Sequence, residues 1–596
     1  MSGDVRHARA RIVDDLPAEA LDECIAPGGA SAAWRRGSGW LRGLTGWRAD
    51  LAAALLGALA AAALPPFFVL PMLLLSVPGL LALIDAAPHG RIAARRGFWF
   101  GFGHHLLGLY WITEAILMRA AEFWWLVPFA VPAVAAVLAV FIAAACWVAR
   151  RAAPGWRRAV ALAGAWVLAD LARQFVLTGF PWNLWGADWA FPGRLGDVFI
   201  QPAAWVGVHG LTLATMLLAV TPALGRRAML AGIAGLAAWA AGGAVRLTTP
   251  LPATPGISVV LVQGDIRENQ KWDPTAKLAI FRRYLALTSE GAAALHGRKG
   301  VVVWPETASP FLLTTDAGAR QAILAASSGV PALAGSVRFD NAGRPRNSLV
   351  AMTGNSHPLM YDKWRLVPFG EYQPDWLPLP VQLVPGGGFA PGPGPETLHV
   401  PGLPSVGVLI CYEAIFSGEI VNKTDRPVWL VNITNDAWFG NSTGPRQHLA
   451  AARLRAVEEG LPLMRAANTG ISAGFDAHGH ELGRLRLGRM GVLVLQLPGA
   501  LPATPFARFG LAIPAVLALA TLAVGFLPRQ RLLLTLVVEL RRLRSKNLAD
   551  NLPRYPQFTA DRLDRLSLNK IRPPNLRDRL HHQHPDPDPR LPREPP

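Results

Sequence analysis

Three stretches run an apolar segment straight into a side chain that can do chemistry. GVVVWPET (300–307) delivers Glu306, LMYDKWRLVPFGEY (359–372) delivers Lys363, and GVLICYE (407–413) delivers Cys411. A carboxylate, an amine and a thiol are together enough for covalent acyl transfer. The thiol is the nucleophile once deprotonated. The carboxylate can take its proton and return it. The ammonium, helped by the backbone N–H of Tyr412, can stabilise the negative oxygen of a tetrahedral intermediate. Each residue also has a plainer reading. A cysteine ending an apolar strand is more often an inert small hydrophobe, a glutamate after Trp-Pro can open a helix, and a lysine in YDK can be a solvated loop charge. What favours chemistry is the combination on three strand ends, where α/β folds build their sites.

The elements that must position these residues lie within 257–500. Short β-branched runs recur there (ISVVLVQ, GVVVWPE, PALAGSV, SLVAMT, SVGVLIC, VWLVNIT, GVLVLQL), separated by helical patterns such as 275–293 and 445–460. Buried strands alternating with helices indicate an α/β domain.

The surroundings of that domain read as membrane. The 596 residues are 52% hydrophobic and 16% charged, with a mean hydropathy of +0.28, whereas a soluble protein carries about 25% charged residues. Spans of about 20 apolar residues are expected near 49–63, 65–86, 97–117, 122–148, 158–176, 200–224, 227–246 and 508–528. The expected organisation is a polar N-terminal extension at 1–48, a seven-helix bundle at 49–246, a catalytic domain at 247–507, a final span at 508–528 and a basic, Pro-rich tail at 529–596, read as disordered. The net charge of +18 is concentrated in short loops and the two ends. That pattern suits the positive-inside bias and argues against a nucleic-acid binder. Arg91, Arg95 and Arg96, then Arg150, Arg151, Arg157 and Arg158, then Arg226 and Arg227 fall on one side if the N-terminus is cytoplasmic. Seven spans then put 247–507 outside the cytoplasm. Cys24, Cys146 and Cys411 are too far apart for a disulfide framework or a metal-ligand pattern, and no metal or cofactor is expected.

Taken in order, LVQGDIRENQKW (261–272), VVWPET, YDKWRLVPFGEY, LICYE and NITNDAWFGNSTGPRQHLAAARLRAVEEGLPLMRAANTGIS (432–472) resemble the nitrilase superfamily and, more narrowly, the apolipoprotein N-acyltransferase family. The resemblance covers roughly 50–528. It implies a polytopic α-helical membrane protein of about eight spans with an inserted α/β nitrilase-like αββα sandwich. It also implies a reaction: an acyl chain passes from a membrane phospholipid, through a cysteine thioester, to the α-amino group of a diacylglyceryl apolipoprotein. The implied setting is the bacterial inner membrane, with the domain facing the periplasm and the enzyme a monomer. The triad alone leaves open a membrane-tethered amidase acting on small amides. By resemblance Cys411 is the nucleophile, Glu306 the general base and acid, and Lys363 the oxyanion stabiliser. Glu371 is a further active-site glutamate that positions Lys363, and Tyr412 and Glu413 follow the nucleophile in the family manner. Asn435, Trp438 and Phe439 shape the substrate pocket. Trp272 is a functional tryptophan or an aromatic packing residue. Trp364 departs from the polar or basic residue expected after the lysine.

In the membrane part, the tryptophans of GFPWNLWGADW (179–189) read either as an interfacial belt or as part of a lipid access route. His104 and His105 read equally as functional or as helix packing. Asp170 and Arg173, three apart on a helix, are expected to pair.

Overall fold

The computed structural model describes residues 37–118, 120–271, 273–354, 357–374 and 388–527. Trp272, the extension through residue 36 and the tail from 528 lie outside the described residues.

Among the described residues, the longer helices before the α/β domain are α1 (Gly46–Ala60), α2 (Leu73–Ala86), α3 (Gly90–Gly108), α4 (Val127–Ala149), α5 (Trp156–Phe175), α6 (Ala203–Ala219) and α7 (Arg226–Leu247). Four stretches among the described residues are long and apolar enough to cross a membrane, namely Gly46–Ala63, Ala120–Ala149, Ala203–Leu224 and Arg226–Leu247. Apolar helices at Leu70–Ala86 and, after the domain, Ala512–Phe526 are shorter. The second and third helices differ most from the expected spans. The chain turns at Pro65 and Pro66, so the second helix starts later. The third ends at Gly108, ahead of a short helix at Ile112–Leu117. Helices α3 and α5 carry Arg95, Arg96, Arg158, Asp170 and Arg173, which shortens their apolar length.

The helices share one buried cluster that includes Val77, Leu80, Phe100, Cys146, Leu162, Trp166 and Met216. Close approach of α1 and α3 depends on small residues. A Cβ on Gly57 would come within 1.8 Å of the Phe100 carbonyl oxygen, and one on Gly103 within 2.0 Å of that of Ala54. At one end of the helices, Arg95 and Arg96 pair with Asp50, and Arg158 pairs with Asp85. Asp170 and Arg173 pair within α5 at 2.8 Å, as expected.

Among the described residues the domain holds twelve strands in two six-stranded sheets. The first has the order β12 (Gly491–Gln496), β1 (Ser258–Gln263), β2 (Gly300–Val303), β3 (Ala332–Phe339), β4 (Pro345–Met352), β5 (Leu359–Asp362). The second has the order β11 (Glu481–Leu485), β10 (Ser472–Phe475), β9 (Leu463–Ala467), β8 (Trp429–Thr434), β7 (Val406–Ile410), β6 (Thr397–Leu398). The central strands, β1-β2-β3 and β7-β8-β9, run parallel. Alternation of side chains along each strand builds the layers. Val259, Leu261, Val301, Val303 and Leu333 face Val406, Val408, Ile410, Val431 and Ile433 between the sheets. The alternate residues Val260, Val262 and Val302 face outward onto α8 (Lys277–Ala293) and α9 (Ala317–Ala326). Leu409, Leu430 and Leu463 face outward onto α10 (Gly444–Glu459). These are the layers of an αββα sandwich. The chain leaves the domain through α11 (Ala512–Phe526), which packs on α5.

The domain meets the bundle along α10 and the turn Cys411–Ile415. Leu454 and Val457 of α10 bury against Leu184, Trp189 and Val208. Tyr412, Ile415 and Phe416 bury against Leu109, Trp111, Leu138 and Trp182.

Candidate active site

The strand ends deliver their following residues to one place. Glu306 follows β2 and Lys363 follows β5 in the first sheet; Cys411 follows β7 and Asn435 follows β8 in the second. Gly335 of β3 leaves room for the Glu306 backbone: a Cβ there would lie 2.7 Å from the Glu306 Cα.

The charges from the first sheet form one hydrogen-bonded set. Lys363 Nζ is buried, 3.1 Å from Glu306 Oε1 and 2.9 Å from both oxygens of Glu371. Asn347 Nδ2, from β4, donates to Glu306 Oε1 at 2.7 Å and to Glu371 Oε1 at 2.9 Å. Glu306 Oε2 accepts from the Asn435 N–H of the opposite sheet at 2.9 Å, and Glu371 Oε2 from the Val367 N–H at 2.8 Å. Burial opposes charge on Glu306, but Lys363, Lys271 and the Asn347 bond outweigh it and hold the carboxyl below the usual carboxylate range. Burial likewise opposes charge on Lys363, and Glu306 and Glu371 hold it protonated, well above the usual lysine value. The pair therefore stays ionised at neutral pH.

Cys411 sits at the turn out of β7 with φ of +51°, a conformation unusual for a side-chain-bearing residue. Burial and the Glu306 carboxylate push its thiol up, and Lys363 pulls it back. The turn is held from within by Glu413. Its Oε2 accepts from the Ile410 N–H at 2.6 Å and from Tyr361 Oη at 3.1 Å, and its Oε1 from the Trp364 N–H at 2.7 Å. Burial pushes the Glu413 carboxyl up to about 7 against those donors. Tyr412 Oη donates to the Gly179 carbonyl at 2.7 Å, so the residue after the cysteine is tied to the loop 179–189.

The structure thus brings together Glu306, Lys363, Glu371, Cys411, Tyr412 and Glu413. Phe439 lies farther out with its ring against Trp111 and Trp182, at 4.6 and 5.8 Å between centroids. Its neighbour Trp438 is partly exposed. Trp364 packs at the edge of the inter-sheet core, with the Arg365 guanidinium 4.4 Å from its ring centroid. Trp182, Trp185 and Trp189 are buried in the protein, which does not fit an interfacial belt. His104 packs its ring against Trp185, whose Nε1 lies 3.4 Å from His104 Nε2.

Several further residues take part in the site. Asn347 joins the two glutamates, and its signal was a polar residue at the start of an apolar strand. Asp436 and His448 lie within the 432–472 motif. His448 Nε2 is 3.0 Å from the Cys411 carbonyl oxygen, and its Nδ1 is 3.0 Å from Asp436 Oδ1. Arg465 Nη2 is 2.7 Å from Asp436 Oδ2. Ligand-type atoms of Cys411, Asp436 and His448 gather within 4.8 Å of one another. Both histidine nitrogens are already engaged and the Arg465 cation adjoins them, which disfavours a metal ion there.

Comparison with known proteins agrees in both halves of the chain. Residues 56–221 match the model of the apolipoprotein N-acyltransferase N-terminal domain, and residues 259–501 that of the carbon-nitrogen hydrolases. The apolipoprotein N-acyltransferase of Bradyrhizobium diazoefficiens is 39% identical over 82% of this chain and 96% of its own. That of Caulobacter vibrioides is 40% identical over 78% of this chain and 92% of its own. An amidase of the nitrilase superfamily from Nesterenkonia AN1 is 19% identical over 42% of this chain and 93% of its own, with a TM-score of 0.31. By its identity to relatives spanning nearly their whole length, the chain belongs to the apolipoprotein N-acyltransferase family.

Proposed function

We propose that this membrane protein transfers an acyl chain from a phospholipid to the α-amino group of a diacylglyceryl apolipoprotein, through a thioester on Cys411. The observation that carries the reading is the position of Cys411. Glu306 and Lys363 both act electrostatically on its thiol, and it sits on a turn whose next residue bonds a loop of the apolar helices. A lipid acyl group and a covalent machinery can meet there.

Glu306 takes the thiol proton as Cys411 Sγ attacks the ester carbonyl carbon. Lys363 and the Tyr412 N–H stabilise the negative oxygen. The C–S bond forms, the ester C–O bond breaks, and the proton held by Glu306 goes to the departing lysophospholipid oxygen. In the second half the acceptor amine attacks the thioester carbon. The C–N bond forms, the C–S bond breaks, and the proton from the amine returns through Glu306 to sulfur. Glu371 holds Lys363 in place, and Trp272, Trp438 and Phe439 contact substrate. The loop 179–189 borders the lipid's route. About eight spans hold the domain, which faces the periplasm of a bacterial inner membrane. The positive-inside bias supports that orientation: the Asp50–Arg96 and Asp85–Arg158 pairs mark an arginine-rich end.

Intact-mass measurement of the detergent-purified protein with phospholipid tests the reading. An acyl adduct is expected on the wild type and none on Cys411→Ser. An adduct that persists in Cys411→Ser overturns the mechanism. Fast turnover of small amides with no lipid adduct favours a hydrolase instead.

A further inference from the structure

We propose that His448 is a positioning residue for the nucleophile, holding Cys411 by its backbone carbonyl. The inference rests on Cys411 being the acylated residue.

A carbonyl oxygen only accepts hydrogen bonds, so His448 Nε2, 3.0 Å from the Cys411 oxygen, is the donor whatever Nδ1 carries. The bond falls on a residue whose φ of +51° must be maintained by its surroundings. His448 is itself fixed from its other side, with Nδ1 3.0 Å from Asp436 Oδ1 and 3.2 Å from Arg465 Nη2. Asp436 also reaches the thiol end of Cys411. Its Oδ1 accepts from Thr434 Oγ1 at 3.0 Å, and its carboxylate lies within 4.8 Å of Cys411 Sγ. One carboxylate thus backs the carbonyl of Cys411 through His448 and lies near the thiol of the same residue. Asp436 is neutralised by Arg465 rather than by Lys363, so this frame carries its own ion pair beside the Glu306–Lys363 pair.

The frame also connects to the membrane side. Gln447, next to His448 on α10, accepts at Oε1 from Trp182 Nε1 at 2.7 Å and from Trp111 Nε1 at 3.1 Å. The Trp182 ring lies 5.7 Å from the His448 ring. The registry of the bundle loops and the geometry of the nucleophile are therefore set by adjacent residues of one helix turn. A displacement of the nucleophile by about 1 Å costs on the order of a hundredfold in rate.

The test compares His448→Leu, His448→Gln and His448→Asn in the full-length protein in detergent. The readouts are the rate of acyl-adduct formation at varied phospholipid concentration and the pH dependence of Cys411 alkylation by iodoacetamide. Glutamine can place an amide donor near the Nε2 position; asparagine reaches no farther than Nδ1. His448→Leu and His448→Asn are expected to acylate about 100-fold more slowly at an unchanged half-saturating phospholipid concentration. His448→Gln should recover to within about tenfold of wild type, and the alkylation midpoint should be the same in all. Wild-type rates in His448→Leu, or equal loss in Gln and Asn, overturn the proposal. A shifted alkylation midpoint also overturns it, since His448 would then be acting on the thiol proton. If His448→Leu does not fold, the Gln and Asn variants carry the same decision. Alkylation needs no lipid turnover, and a wild type that never forms an adduct would instead sink the acyl-transfer reading.

Discussion

The first sheet's contribution to the site is a set of charges held by other charges; the second sheet's is a neutral thiol held through its own backbone. Lys363 is enclosed by Glu306, Glu371 and the Asn347 amide, and no member of that set can be removed without leaving a buried charge short of a partner. Cys411 depends on φ of +51°, a bond to its carbonyl and the cap supplied by Glu413. Damage to the first arrangement should therefore remove chemistry and stability together. Damage to the second should remove chemistry with a smaller loss of stability.

The largest expected effect comes from Lys363→Met. It leaves two buried carboxylates facing each other and removes the proposed oxyanion cation. Adduct formation should fall by at least about 10³-fold, and the protein should lose about 3–5 kcal/mol. Intact-mass time courses and thermal unfolding in detergent read the two. A variant inactive but of wild-type stability would break the contrast drawn between the sheets.

The two carboxylates flanking the cysteine offer a sharper comparison, because their shifts have opposite sign. Glu306 is depressed in the folded protein, so its ionisation supports folding above the ordinary carboxylate value of about 4.3 and that support is lost as pH falls through the folded value. Glu413 is raised to about 7, so its contribution is whole below about pH 4.3 and is lost as pH rises through 7. Glu306→Gln should slow adduct formation by about 10²–10⁴-fold and remove part of the wild type's acid sensitivity. Glu413→Gln should cost more stability at pH 5 than at pH 8. Unfolding midpoints of both variants from pH 4 to 8 decide it, and parallel curves would refute the difference.

The same contrast explains what could be read from the sequence. Seven apolar strand patterns correspond to β1, β2, β3, β4, β7, β8 and β12; in all but the half-buried edge strand β12, burial on both faces leaves a continuous apolar run. The patterns at 275–293 and 445–460 correspond to α8 and α10. β9 was not evident because LMRAA carries Arg465, a buried cation whose partners, Asn432 and Asp436, are distant in sequence. β11, ELGRL, is an edge strand of alternating half-exposed residues. In the site, Glu306, Lys363 and Cys411 were legible because a reactive side chain ended an apolar run. Asn347 and His448 were not, because each acts through an atom of another residue, and such pairings are set by the sandwich rather than by local pattern.

Tyr361 offers the smallest and most selective probe. It lies in β5 of the first sheet, yet its hydroxyl donates to Glu413 Oε2 of the second at 3.1 Å. Tyr361→Phe keeps the buried ring and removes that bond, while the Ile410 and Trp364 N–H groups still hold the carboxylate. The cost should be about 1 kcal/mol. The acyl-adduct rate should stay within about threefold of wild type, since a 1.4 kcal/mol change is needed for tenfold. The lost donor favoured the charged form of Glu413, so its carboxyl should move higher. The pH window over which the Glu413 contribution is lost should move up with it. If Tyr361→Phe instead slows acylation as much as Glu306→Gln does, charge and backbone geometry are not separable at this site, and the division of labour between the sheets fails.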